Sequence, residues 1–268
     1  MSQIHEMPDV QSSRDHRNTA IDLVGIRDIR HPVTIVDGDD RQQSVATCTL
    51  TVGLPHDRKG THMSRFVQML NEAPLTLSIA GMRDWVGAMA ERLETGTARA
   101  EFAFTYFREK PAPVSGVPSL VDAEVTLIGI LDAGDRFETR VRAVVPVTSL
   151  CPCSKEISAY GAHNQRSHIT VEAVITDPAL TSLRSLLDTL ESQGSCELWG
   201  ILKRPDEKFI TERAYDNPKF VEDMIRDVAA ALDALPGVGS YRAEVENFES
   251  IHNHSAWAMI ERDGSGRT

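Results

Sequence analysis

Cysteine is scarce in this chain, with four among 268 residues: Cys48, Cys151, Cys153 and Cys196. So few thiols do not make a disulfide scaffold at this length, and each needs its own account. Long apolar runs are absent too. No stretch of about 18 uncharged apolar residues exists, which excludes a membrane-spanning helix. Residues 1–18 are polar, carry both signs of charge and lack the apolar centre of a secretory signal. The expectation is a protein of the reducing cytoplasm. Positive charge is also short: 28 Lys and Arg stand against 39 Asp and Glu, for a formal net charge of -11. Such a surface repels nucleic-acid backbones and anionic membranes, so neither is an expected partner. An anionic substrate needs a local basic patch working against the global field.

The chain does have regular apolar patterning. With 41% hydrophobic and 25% charged residues it can bury a substantial core. Alternation predicts strands at Leu23–Val36 and Ser44–Leu54, parted by the turn-like Asp37-Gly38-Asp39-Asp40. Helical spacing follows, with Thr61 as a cap before Met63, Phe66, Val67 and Leu70, and a second helix from about Ser78. Strands at Arg99–Arg108 and Leu120–Leu131 complete a first unit. The order then recurs: strands at Phe137–Val147 and His168–Thr176, a helix at Leu180–Leu190, a helix at Pro218–Leu235 capped by Asn217, and strands at Tyr241–Phe248 and Ser255–Glu261. The expected class is α+β, with two strand-strand-helix-helix-strand-strand modules at 19–134 and 135–262, dividing near Gly134, between loose tails at 1–18 and 263–268. Open edges of antiparallel sheets favour closure against other sheets, hence assembly.

Four polar clusters stand out. Thr148 to Glu156 and Gly161 to His168 form a long connection between strong strands. Cys151 and His163 on its two arms can share one transition metal, although the spacing equally describes small buried thiols. Glu246 to His254 holds Glu249, His252 and His254. The two histidines point to one side of an extended chain, where they can hold a metal or pass protons, or are incidental to a solvated strand end. Lys59, His62 and Arg65 enter a helix whose free N–H groups suit an anion, or they are ordinary solvated residues. Glu207 and Glu222 read by themselves as surface carboxylates, Glu222 as an i, i+4 partner of Arg226. Cys48, Cys196, Trp85 and Trp199 read as packing residues.

Taken together, Gly60-Thr61-His62-Met63-Ser64-Arg65-Phe66, Ser149-Leu150-Cys151-Pro152-Cys153-Ser154-Lys155, Gly161-Ala162-His163-Asn164-Gln165-Arg166, Asn217-Pro218-Lys219-Phe220-Val221-Glu222-Asp223 and Glu246 to His254 resemble the type IB GTP cyclohydrolase I family, from about Ile21 to Ile260. The resemblance implies the tunnelling fold (T-fold), with antiparallel sheets closing into a barrel in a homotetramer. It implies hydrolytic opening of the guanine ring of GTP, release of formate and closure to 7,8-dihydroneopterin triphosphate, at the head of folate-type pterin synthesis. It also implies a divalent metal held by Cys151, His163 and Glu207, with Glu222 on the guanine edge and Glu249, His252 and His254 as further active-site groups. Zinc suits that donor set, and manganese or iron can compete because Glu is a harder ligand. A carboxylate at Glu222 can accept both N1–H and the 2-amino group of guanine. Lys59, Arg65, Lys155 and Arg166, with His62, are the candidates for holding the substrate and its triphosphate. Two other readings compete. One is the NADPH-dependent nitrile reductase of queuosine synthesis on the same fold, with Cys151 as covalent nucleophile, although its lysine-rich cofactor segment is not found. The other is a purine- or pterin-binding module without turnover.

Overall fold

The structure, a computed structural model, describes residues 11 and 13–264. The expected tails at residues 1–10, 12 and 265–268 lie outside the described residues. The strands are β1 Ile21–Asp37, β2 Asp40–Leu54, β3 Leu75–Leu77, β4 Ala98–Pro111, β5 Pro118–Leu131, β6 Phe137–Leu150, β7 Asn164–Ile175, β8 Val238–Asn247 and β9 Ala256–Arg262. The helices are α1 Met63–Asn71, α2 Met82–Arg92, α3 Pro152–Ile157, α4 Leu183–Glu191, α5 Arg204–Asp216 and α6 Val221–Ala234. No helix among the described residues is long and apolar enough to cross a membrane.

All nine strands join one sheet in the order β3-β1-β2-β4-β5-β6-β7-β8-β9. Every neighbouring pair is antiparallel except β3, which lies parallel to β1 at the edge. The sheet continues through the turn at Gly134, where Leu131 of β5 faces Phe137 of β6.

Period-2 alternation decides which face is covered. Phe102, Phe104 and Tyr106 on β4 are buried, as are Val141, Ala143, Val145 and Val147 on β6. Helices α1, α2, α4 and α6 lay their apolar stripes on this face, and one contiguous core results. Trp85 of α2 meets Phe102 edge to face, with ring centroids 4.9 Å apart. A fully buried side chain of this size contributes roughly 1.5–3 kcal/mol. Close approach also matters: a Cβ at Gly129 of β5 would stand 2.7 Å from Val86 Cγ2, so only glycine lets α2 settle here.

Side chains from the first half hold the helices of the second. Asp37, at the tip of the β1–β2 hairpin, accepts the backbone N–H groups of Leu183 and Arg184 and caps α4 from afar. Arg108, 1% exposed, pairs with Asp188 and Glu191 of α4, and Lys110 pairs with Glu191 at 2.7 Å. Asp206 of α5 is fully buried and accepts from Val114 N, Ser115 N, Ser115 Oγ and Lys203 N. Burial alone would raise its pKa, but these bonds outweigh burial and hold the carboxyl well below the usual carboxylate range.

Three expected helix starts are corrected. The helix assigned from Leu180 begins at Leu183, with Ser182 as its N-cap. The helix assigned from Ser78 begins at Met82, because Ser78 Oγ instead accepts from Gly81 N–H in a preceding turn. The helix assigned from Pro218 begins at Val221 with Phe220 as its N-cap. Asn217 is the C-cap of α5, and its amide donates to the carbonyls of Gly194 and Ser195. Thr61 likewise does not cap α1; His62 occupies that position without a side-chain cap bond.

Candidate active site

Strand register fixes which polar clusters meet. Leu150 of β6 faces Asn164 of β7 as the last pair of their ladder. Cys151 and His163 therefore leave the sheet side by side, and Cys151 N–H donates to the His163 carbonyl at 3.1 Å. Pro152 follows Cys151 and starts α3, with Cys151 as its N-cap. The Cys151 Sγ accepts from Ser154 N–H at 3.5 Å. Ser154 Oγ donates to the Cys151 carbonyl at 3.1 Å and accepts from His163 N–H at 3.2 Å, clamping the two arms together. Both Cys151 and His163 are half-buried.

The same end of the sheet collects the other polar residues of the second half. Asn247, the last residue of β8, faces Ser167 of β7, so the segment from Phe248 to His254 projects beside Cys151 and His163. Ser250 Oγ comes within 3.4 Å of His163 Nδ1. His252 and His254 are exposed and stacked, with centroids 5.1 Å apart and planes 15° apart, and Glu249 is half-buried. Lys219 N–H donates to the Leu150 carbonyl, which pins the start of α6 to this end. Glu222 stands exposed in its first turn. The expected pair with Arg226 is not formed; Arg226 pairs with Asp223 at 3.6 Å.

Helix α5 lies beside this end. Its residues Ile210, Thr211 and Ala214 line a cavity of about 260 Å³ with Thr148, Asn164 and Arg166. Glu207 is exposed one turn before Thr211, on the same helix face. It is not gathered with Cys151 and His163: among the described residues no group of three His, Cys, Asp or Glu side chains stands close enough to hold a metal ion. The neighbouring Glu212 is already paired with Lys208 at 3.0 Å. Lys155 donates to the Tyr215 carbonyl and stands 4.2 Å over the Tyr215 ring, while Arg166 is exposed.

Lys59, His62 and Arg65 are elsewhere. They follow the end of β2, where Val52 faces Ala98, Ala98 faces Leu131 and Leu131 faces Phe137. That is the start of β6, whereas Cys151 follows its finish 14 residues later, about 45 Å along the strand. Within one chain the two clusters lie at opposite ends of the sheet. Arg65 pairs with Glu94 at 3.4 Å and donates to the Arg92 carbonyl, and Lys59 N–H donates to the Ser13 carbonyl.

The sequence groups Ser149, Ser154, Gln165 and Ser167 in the two polar stretches but gives none of them a role, and it carries no helical signal for α5. The one local signal for α3 was Pro directly after Cys151.

A sequence model of the family described as type I GTP cyclohydrolase folE2 matches residues 7–258. GTP cyclohydrolase FolE2 of Azoarcus sp. (strain BH72) is 55% identical over 260 residues, covering 97% of this chain and 96% of that one. GTP cyclohydrolase FolE2 of Thiobacillus denitrificans (strain ATCC 25259 / T1) is 55% identical over 258 residues, covering 96% and 95%. Among solved structures, a uricase from Arthrobacter globiformis superposes with a TM-score of 0.55 at 8% identity, covering 91% of this chain and 94% of that one. A uricase from Bacillus fastidious gives 0.54 at 8% identity, covering 90% and 92%. At that identity the likeness concerns the fold alone, and the fold is the tunnelling fold. On the family match and the near-full-length relatives, the chain belongs to the type I GTP cyclohydrolase FolE2 family.

Proposed function

We propose that this chain is a type IB GTP cyclohydrolase I, opening the imidazole ring of the guanine of GTP by hydrolysis, releasing formate and yielding 7,8-dihydroneopterin triphosphate for folate-type pterin synthesis. The observation that carries the reading is the convergence of Cys151 and His163 at the sheet end that also presents Glu222, Glu249, His252 and His254.

A divalent metal belongs to this reading: Cys151 and His163 stand together as two of its donors, and Glu207, which is not gathered with them in one chain, would supply the third. His163 Nδ1 is engaged by Gln165 Oε1 at 3.0 Å, which leaves Nε2 as the ligating nitrogen. Among the described residues the Cys151 Sγ takes only the long bond from Ser154 N–H. Glu207 uses its backbone carbonyl for Thr211 Oγ1, and its carboxylate has no partner among the described residues. Glu207 is a better third donor than Glu212, which Lys208 occupies. Sulfur, nitrogen and oxygen donors together suit zinc, with manganese or iron compatible. Once bound, such an ion supplies Lewis acidity that brings the pKa of a water toward ~7.

The chain's own groups supply the rest. The Glu222 carboxylate accepts N1–H and the 2-amino group of guanine and so orients C8. His252 and His254, stacked and solvent-reachable, deliver a proton to the departing ring nitrogen. Glu249, half-buried in the same segment, is a further carboxylate of the site. Arg166 has no side-chain partner among the described residues and is the first choice for the triphosphate at this end, whereas Lys155 is held by Tyr215. Lys59, His62 and Arg65 join the site from a second copy of the chain, in a homotetramer whose sheets close on one another. Four free cysteines fit the reducing cytoplasm.

Incubation of the pure protein with GTP and each of several divalent metals, followed by oxidation, tests the reading. Pterin fluorescence is expected with at least one metal and none after chelation. Absence of product with every metal, or consumption of NADPH in its place, contradicts it.

A further inference from the structure

His163 is the visible end of a buried polar chain. Its Nδ1 lies 3.0 Å from Gln165 Oε1. The Gln165 amide Nε2 donates to Ser149 Oγ at 2.8 Å. Ser149 Oγ lies 2.8 Å from Ser167 Oγ, and Ser167 Oγ donates to Asn247 Oδ1 at 2.7 Å. Ser149, Ser167 and Asn247 are at most 2% exposed, and Gln165 is 8% exposed. The chain crosses three strands, β6, β7 and β8, on the face covered by helices.

The direction of these bonds follows from the donor count. A serine hydroxyl has one proton. If Ser167 gives its proton to Asn247, Ser149 must donate to Ser167 and is left to accept from Gln165. The Gln165 amide then presents its carbonyl to His163, so Nδ1 carries the ring proton. Ser250 Oγ approaches the same nitrogen only at 3.4 Å and from an exposed loop. Buried polar groups that are all partnered are rigid, because any rotation leaves one of them buried without a partner.

We propose that Gln165 is a positioning residue: its carbonyl fixes the proton of His163 on Nδ1 and aims Nε2 outward as a metal ligand, held in turn by Ser149, Ser167 and Asn247. The proposal rests on the reading of His163 as a ligand. It assigns the conserved chemistry of metal-bound imidazole, a second ring nitrogen tied to an oxygen acceptor, to a side chain whose role neither spacing nor exposure announces.

Cobalt(II) is the probe, titrated into the full-length protein against a competing chromophoric chelator, with the visible spectrum of the bound ion recorded. Gln165→Leu, which offers no acceptor, is expected to weaken binding about 10–100-fold and to change the spectrum. Gln165→Glu keeps the acceptor and is expected to bind within a few-fold of wild type, which a merely structural role for the amide does not predict. Wild-type affinity and spectrum in Gln165→Leu overturn the proposal. His163→Ala separates the two layers: if it binds cobalt(II) as wild type does, the ligand reading itself fails. If His163→Ala loses the ion while Gln165→Leu keeps it, only the positioning role fails. Should Gln165→Leu not fold, Ser149→Ala replaces it; weaker cobalt(II) binding supports the chain, and unchanged binding overturns it.

Discussion

The Cys151 N–H donates to the His163 carbonyl at 3.1 Å, one step beyond the last paired residues of β6 and β7. This bond brings two motif residues twelve positions apart to one point and makes the end of the sheet the place where chemistry is expected.

Glu222 gives the first prediction. It is exposed at the start of α6, and Arg226, its candidate surface partner, pairs with Asp223. Glu222→Gln places an NH2 where guanine needs two acceptors and removes the charge. Losing a charged hydrogen bond costs about 1.5–3 kcal/mol, so GTP should bind at least about tenfold more weakly by calorimetry. ITP, which lacks the 2-amino group, should lose less. Equal GTP affinity in mutant and wild type removes Glu222 from the site.

Asp206 gives the second. Its folded pKa lies below the unfolded value, so its contribution to stability is full above about pH 4 and declines as the pH falls through the folded pKa. Asp206→Asn should lower Tm at neutral pH, and its gap from wild type should narrow in acid. A gap that stays constant from pH 7 to pH 3 contradicts the account.

The thiols give the third. Burial pushes Cys48 and Cys196 up to about 11, while Cys153 is exposed. In metal-free protein at neutral pH a disulfide reagent should modify Cys153 first. Cys151 should follow, and added zinc should slow it. Cys48 and Cys196 should react only on unfolding; prompt reaction of all four contradicts the packing described.

Separation of the two polar clusters gives the fourth. Cys151 and His62 stand at opposite ends of the sheet, so one chain does not bring them together. If subunits share each site, Cys151→Ala and His62→Ala proteins, each inactive alone, should regain activity when mixed and allowed to exchange subunits. No recovery in mixed oligomers verified by mass argues against a shared site.

Much of this was legible in the sequence. The alternation Phe102, Phe104, Tyr106 placed β4 and its buried face, and the 3.6-residue spacing of Met224, Ile225, Val228 and Leu232 placed α6. Helix starts were less so, because Ser78 and Asn217 are capping residues by type but spend their side chains on Gly81 and on the Gly194–Ser195 backbone. Helix α5 escaped because only Asp206 and Ala214 along it are buried, leaving no apolar stripe to read. In the site, Cys151 and His163 announced themselves as metal-type residues. Ser149, Ser167 and Asn247 did not, since a serine on a strand is silent until register shows what it faces. Register likewise was needed to see that Lys59, His62 and Arg65 lie at the far end.

The most direct test of the central claim is the count of formate released per GTP consumed by metal-loaded wild type and by Cys151→Ala, with Tm measured on both. The account predicts one formate per GTP for wild type, and loss of both turnover and bound metal in a variant that still melts cooperatively. Formate release by a folded Cys151→Ala protein at the wild-type rate contradicts it.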